Sequence, residues 1–310
     1  MRVLSSIVSL ALLSVTGAVS IPRSLHERSV TTLSLSALDA LAPYTEFARA
    51  AYCSSSSVQG WNCGDACSAV PGFQVTLTGG DGDAVQLFYV GYWPAQNAVV
   101  VAHEGTDPTQ FLSDLTDIEI VMDQPDTSLF PGIPSSVWVH GGFLAEHAKT
   151  APQILAETKS LLSSTGADQV ILVGHSLGGA LAEIDWCHLR HPPVSVTPAW
   201  ASYFDSEVSD FQHINNELDP IPIVPGRGLG FAHPHGEVHI LGTNDAVAAL
   251  GTTTRPIPSA PSPPCPTSSS PTSSIISDPT RASTSAPSSA RKPPIAPAYF
   301  IRHDTTSNVG

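Results

Sequence analysis

The stretch "QVILVGHSLGGALAEIDW", residues 169–186, decides the fold. Four apolar residues, Val170 to Val173, lead into a glycine-flanked turn, and apolar residues at helical spacing follow it. That pattern reads as a buried strand, a sharp turn and a helix. Gly174-His175-Ser176-Leu177-Gly178 fits G-x-S-x-G, with Ser176 at the apex of the turn. The glycines let strand and helix approach closely while the serine hydroxyl projects from the sheet edge. An ordinary Gly-rich strand-to-helix turn is the competing reading. The apolar strand before the turn and the helix after it favour a nucleophile. The Leu177 N–H, at the helix start, points where an oxyanion would form. A serine hydroxyl is a poor nucleophile alone and needs a base and an acid. His175 adjoins the serine in the chain, so its side chain is expected to point elsewhere in a structural role.

Working outward, strands and helices alternate. "NAVVVAHEGT" is a short β-branched run ending at Gly105, like a buried strand. "GFQVTLTGG" and "AVQLFYVGYW" alternate like two strands joined by a Gly/Asp turn. Residues 35–52 carry apolar residues at helical spacing, and a long amphipathic helix runs up to Gly166. The middle of the chain therefore reads as an α/β sheet, mostly parallel in the centre and flanked by helices.

The 310 residues suit one large domain with tails. A formal charge of -14 and a pI near 5.1 give a surface that repels phosphate backbones, so nucleic-acid binding is not expected. "MRVLSSIVSLALLSVTGAVS", residues 1–20, has the shape of a secretory signal peptide. Residues 21–34 read as a pro-segment, and the expected domain spans 35–248. No stretch is long enough for a comfortable membrane span. Secretion favours disulfides, and Cys63 and Cys67 are spaced for a tight bridge. Cys53, Cys187 and Cys265 complete an odd count, which leaves at least one thiol without an intramolecular partner. The chain has no N-x-S/T site. Residues 249–310 are rich in Pro, Ser and Thr, cannot bury a core, and read as a disordered tail.

Five stretches extend the serine motif. They are "AAYC", "VVVAHEGTDPTQFLSDLTD", "VHGGF", "GHSLGGALAEID" and "DFQHINNELDPIPIVPGRGLGFAHPHGEVHI". In this order, over residues 35–240, the chain resembles the fungal secreted class 3 lipases, a family that includes feruloyl esterases. The resemblance implies an α/β-hydrolase fold and a serine carboxylic-ester hydrolase that needs no cofactor. It implies Ser176 as nucleophile, with the backbone N–H groups of Thr106 and Leu177 as the oxyanion hole. Asp219, followed by Pro220 in a D-x-[IV]-P pattern, matches the family's acid. Asp205, Glu207 and Glu217 are nearby alternatives without that pattern. Phe111, Leu112, Leu115 and Ile118 match the position of an apolar lid over an acyl pocket. The expected partner is a lipid or other ester at a lipid–water interface, met by a monomer. His233, His235, Glu237 and His239 form H-x-H-x-E-x-H, which in isolation suggests a metal site. The same stretch recurs in the family without a metal, so a structural role near the pocket wall is expected.

Two departures stand out. The family's "TYGxPRVGN" strand is absent; "CHLRHPPVSVTPAWASYFDS" stands in its place. Cys187 lies in this stretch and is assigned no bridge. The family's D-H-x-G-P-Y stretch, which supplies the base, is also absent. His303 is the one histidine after residue 240 and has nothing to place it beside Ser176. A shifted reading frame supplies the missing piece. Joining each codon's third base to the next codon's first two permits Asp-His-Leu-Gly-Pro-Tyr across Ser274 to Thr280. It then permits Glu-Gly-Ile-Tyr-Ile-Gly-Thr-Ile-Phe-Cys and a stop across Ala290 and Arg291. The restored terminal cysteine would pair with Cys53. The alternative to an active enzyme is therefore a catalytically dead lipase-like protein from a faulty or decayed gene, retaining an ester- or surface-binding role.

Overall fold

The computed structural model describes residues 30–106, 121–131, 138–190 and 298–304. Between 201 and 249 it describes 201, 204, 205, 208, 210–217, 219, 232–242 and 245–249. The chain opens with a short strand, β1 (Val30–Thr32), then helix α1 (Leu35–Ala50). Ser34 caps α1 by accepting a hydrogen bond from the Ala37 N–H at 3.2 Å. Leu38, Leu41, Tyr44 and Phe47 recur at helical spacing and are buried. Two one-turn helices follow, α2 (Ser55–Gln59) and α3 (Asp65–Ala69). Cys63 and Cys67 are joined by a disulfide at the entry to α3.

Strands β2 (Gln74–Gly79), β3 (Phe88–Trp93) and β4 (Ala98–His103) form an antiparallel meander. A two-stranded ribbon, β5 (Met122–Asp123) with β6 (Val139–His140), precedes helix α4 (Gly141–Thr165). Gly166, at φ 70°, ends α4 in the left-handed conformation and donates its N–H to Leu162 O at 3.1 Å. Strand β7 (Gln169–Gly174) then leads through the serine turn into helix α5 (Leu177–Arg190). The fold closes with β8 (Phe211–Asn216), β9 (Glu237–Gly242), β10 (Asp245–Ala249) and β11 (Ala298–Asp304). Among the described residues no helix is long and apolar enough to cross a membrane.

The large sheet has the order β1-β10-β9-β8-β11-β7-β4-β3-β2. Strands β4, β7, β8 and β9 share one direction, as do the outer strands β1 and β2. The core explains why β4 and β7 read as unbroken apolar runs. Ala98, Val100 and Ala102 face a cluster with α1, whereas Val99 and Val101 face one with α4 and α5. A strand buried on both faces has no polar side to alternate with. Below α1 an aromatic group of Phe47, Trp61, Phe73, Tyr89 and Trp93 packs mainly edge to face.

The sheet reaches beyond the expected domain limits at both ends. Residues 30–32, expected in the pro-segment, pair with β10 as an edge strand. Residues 298–304, expected within the Pro/Ser/Thr-rich tail, run antiparallel between β7 and β8. The physical reason lies in "AYFIRHD", which is aromatic and β-branched, unlike the tract before it. This segment occupies the position between β7 and β8. Ile301 is completely buried there, and a fully buried isoleucine contributes roughly 1.5–3 kcal/mol.

Candidate active site

The site forms at the C-terminal ends of β4 and β7, where parallel strands carry their loops. Ser176 has φ 54°, a left-handed conformation that costs a non-glycine residue energy and marks a constrained turn. The turn is held by Gly178 N–H donating to His175 O and Gly179 N–H to Ser176 O, both at 2.9 Å. The flanking glycines are needed for space rather than for φ. A Cβ on Gly174 would lie 2.1 Å from the Gly178 carbonyl carbon. A Cβ on Gly105 would lie 2.4 Å from His175 O and 3.1 Å from Ser176 Cβ. The backbone leading to Thr106 thus lies directly on the serine turn. Thr106 is half-buried, and Leu177 opens α5. As the first helical residue, Leu177 has an N–H with no carbonyl one turn back to receive it.

Asp219 follows β8, and its N–H donates to Asn216 O at 2.9 Å. It is half-buried, and its charge acts on His175. Burial lowers the pKa of His175, and the Asp219 carboxylate partly opposes this. His175 Nδ1 also lies 2.6 Å from Tyr52 Oη. A Cβ on Gly105 would lie 2.5 Å from the same hydroxyl, so Tyr52 packs against the end of β4. The structure therefore gathers Ser176, Leu177, Gly105-Thr106, His175, Tyr52 and Asp219 at one end of the sheet. Phe111, Leu112, Leu115 and Ile118 lie outside the described residues, as do Glu207 and Cys265.

Other sequence candidates have separate partners. Asp205 accepts from the backbone and ring of His235 at 2.7 and 2.6 Å. His239 Nε2 donates to Glu217 O at 2.7 Å, and Glu237 accepts from Asn215 Nδ2 at 2.8 Å. The H-x-H-x-E-x-H residues thus turn to different partners. Among the described residues no group of His, Cys, Asp or Glu is arranged to hold a metal ion. His303 stands opposite Val170, whereas Tyr299 stands opposite Gly174. Four residues of strand separate His303 from the serine end of β7, about 13 Å. Neither Cys53 nor Cys187 is in a disulfide among the described residues; Cys187 is fully buried on α5, where its Sγ donates to Glu183 O at 3.4 Å.

Four residues had no role assigned from sequence: Tyr52, His103, His147 and Asp185. Asp185 Oδ2 lies 2.5 Å from His103 Nε2, and its Oδ1 lies 3.0 Å from His147 Nε2. All three are at most 2% exposed. The two imidazoles hold the Asp185 carboxyl far below the usual carboxylate range, although burial alone would raise it. The signal was present in the sequence. Asp185 interrupts the apolar face of "ALAEIDWCHL", and His103 ends an otherwise apolar strand.

Residues 100–229 match the family model for lipase (class 3). A secreted mono- and diacylglycerol lipase of Malassezia globosa is 29% identical over 181 residues, covering 54% of this chain and 59% of that protein. A second from the same organism is 28% identical over 213 residues, covering 64% and 67%. A lipase of Rhizopus niveus is 29% identical over 209 residues, covering 62% and 51%. The matches thus span between about half and two thirds of those relatives' length. Among solved structures, lipase II from Rhizopus niveus superposes with a TM-score of 0.63 at 25% identity, covering 72% of this chain and 89% of that one. The lipase from Rhizopus microsporus var. chinensis superposes at 0.61, covering 75% and 85%; at 24% identity it bears on the fold alone. With an α/β-hydrolase sheet and this serine turn, the chain is similar to the class 3 lipases over residues 100–229.

Proposed function

We propose that the chain is a secreted serine carboxylic-ester hydrolase of the lipase type, acting on acylglycerols through an acyl-enzyme on Ser176. The observation that carries this is the strained Ser176 at the tip of β7, with the end of β4 packed against it. In this reading the Ser176 oxygen attacks the acyl carbonyl while a histidine takes its proton. The carbonyl oxygen becomes an oxyanion held by the N–H groups of Thr106 and Leu177. The same histidine returns the proton to the leaving alcohol, and water then releases the acid. Asp219 orients that histidine, in keeping with its place beside the serine turn. The relatives' printed names suggest mono- and diacylglycerols as the esters, and secretion follows from the N-terminal segment. In this reading Phe111, Leu112, Leu115 and Ile118 belong to the lid, by their match to its position in the family.

The chain as written lacks that base, which this reading places in the shifted frame over residues 274–280, so turnover by the chain itself is expected to be low. The position of His303, at the far end of β7, supports looking for it there. The same observation favours a second reading, in which this chain binds an ester without turning it over. One assay separates them. Turnover of a short-chain p-nitrophenyl ester by purified chain, abolished in Ser176→Ala, supports the hydrolase. No turnover by the chain as written supports the second reading. Sequencing the transcript and genomic locus decides the origin of the base. Codons whose shifted frame does not read His-Leu-Gly-Pro-Tyr overturn that part.

A further inference from the structure

The His103–Asp185–His147 group lies outside the catalytic constellation, yet it joins the two elements that build it. His103 is the last residue of β4, three positions before Thr106. Asp185 lies on α5, eight positions after Leu177. His147 comes from α4, which packs beside both. We propose that Asp185 is a positioning residue: through His103 it holds the end of β4 against the start of α5, and so sets the Thr106 and Leu177 N–H groups at a common point. This rests on the reading of those two groups as the oxyanion donors.

Three observations support it. First, the β4 end and α5 meet backbone to backbone. A Cβ on Gly178 would lie 2.4 Å from His103 O and 2.7 Å from Glu104 O. At so close an approach, a small slip of α5 along β4 would displace one donor relative to the other. Second, both Asp185 oxygens are used, one by each ring. A carboxylate only accepts, so each imidazole carries its proton on Nε2. His147 Nδ1 is buried and has no hydrogen-bond partner, and His103, at 2.5 Å from Asp185 against 3.0 Å for His147, forms the closer arm. Third, replacing such a buried group by apolar residues is often neutral or stabilising, so its stability contribution gives little reason for its presence. Alignment of two catalytic donors gives one.

The test compares local with global opening by native-state amide exchange, read residue by residue by NMR in the full chain. Asp185→Asn keeps the shape but cannot accept from both rings. His103→Phe keeps a ring and removes the bond to Asp185. In both, exchange at Glu104 and Gly178, whose N–H groups donate to Leu87 O and His175 O beside the two donors, is expected to rise by about tenfold or more relative to the amides of β3. His147→Phe is expected to speed all core amides together, without that local excess. A purely structural role moves all core amides in parallel in every variant, and that result would falsify the proposal. Where a substituted chain does not fold, nitrogen-15 spectra of the unaltered protein serve instead. A proton on Nδ1 rather than Nε2 of His103 overturns the arrangement. If the chain turns over an ester, Asp185→Asn is expected to lower kcat with little change in KM. If it does not, the hydrolase reading fails, while the exchange measurement still decides whether Asp185 aligns the two N–H groups.

Discussion

Acid is expected to loosen the strand that presents Asp219, and one buried histidine sets the size of the effect. His213 lies on β8 and is 3% exposed. Burial, and after it the nearby His233, lower its pKa from an ordinary 6.5 to about 4. Hydrogen bonds to the Asn215 side chain and the Pro234 backbone oppose this only in part. Folded, the ring stays neutral through mild acid; unfolded, it takes a proton near 6.5. Between 6.5 and about 4 the unfolded chain therefore binds more protons, and stability falls as the pH drops through that window. Above 6.5 the contribution is fully present. The gap from 6.5 to about 4, at about 1.4 kcal/mol per pKa unit, corresponds to about 3 kcal/mol. Most of it is lost by about pH 4.5. That is a sizeable fraction of a typical domain's stability. Urea unfolding at about pH 7.5 and about pH 4.5 measures it, with His213→Phe as the comparison. The phenylalanine keeps a ring beside Phe211, which stacks on His213 at 5.7 Å between centroids. It forfeits the hydrogen bonds at both pH values alike. Carboxylates titrate in both proteins and cancel in the difference. The variant is expected to lose about 2–3 kcal/mol less than the wild type on acidification. Parallel losses in the two proteins refute the reasoning.

Asp219→Asn is expected to leave expression unchanged and to reduce any ester turnover by about 10³–10⁴-fold; unchanged turnover removes Asp219 from the acid role. Gly178→Ala places a methyl group 2.4 Å from His103 O, a backbone atom that cannot swing away. It is expected to cost about 1–3 kcal/mol in denaturant unfolding and to lower turnover, because the serine turn must shift. Replacing Cys63 and Cys67 by serine opens a bridge between residues four apart, which is expected to cost about 2 kcal/mol by the loop-entropy relation. Unfolding with and without reductant checks that value, and peptide mapping that finds both thiols free in secreted protein refutes the bridge.

What could be read from sequence alone was what depends on neighbours in the chain. A β-branched run, two glycines around a serine and a helical repeat specify the strand, turn and helix of residues 169–190, because close backbone approach leaves few other residues able to fit. The end of β4 was legible by the same local patterns, whereas Asp219 was singled out by the resemblance to the family's acid pattern. Tertiary structure decided the rest. β11 lies between β7 and β8, and that position is invisible from residues 298–304 themselves. Antiparallel pairing then puts His303 at the end of β7 away from Ser176, a consequence of strand direction. The bonds among His103, His147 and Asp185 join residues 38 and 82 positions apart on three elements. His103 and Asp185 each looked like a polar residue on an apolar face and His147 like one of several polar residues on an amphipathic helix; a buried charge is stable only with partners, and only the packing of β4, α4 and α5 supplies them.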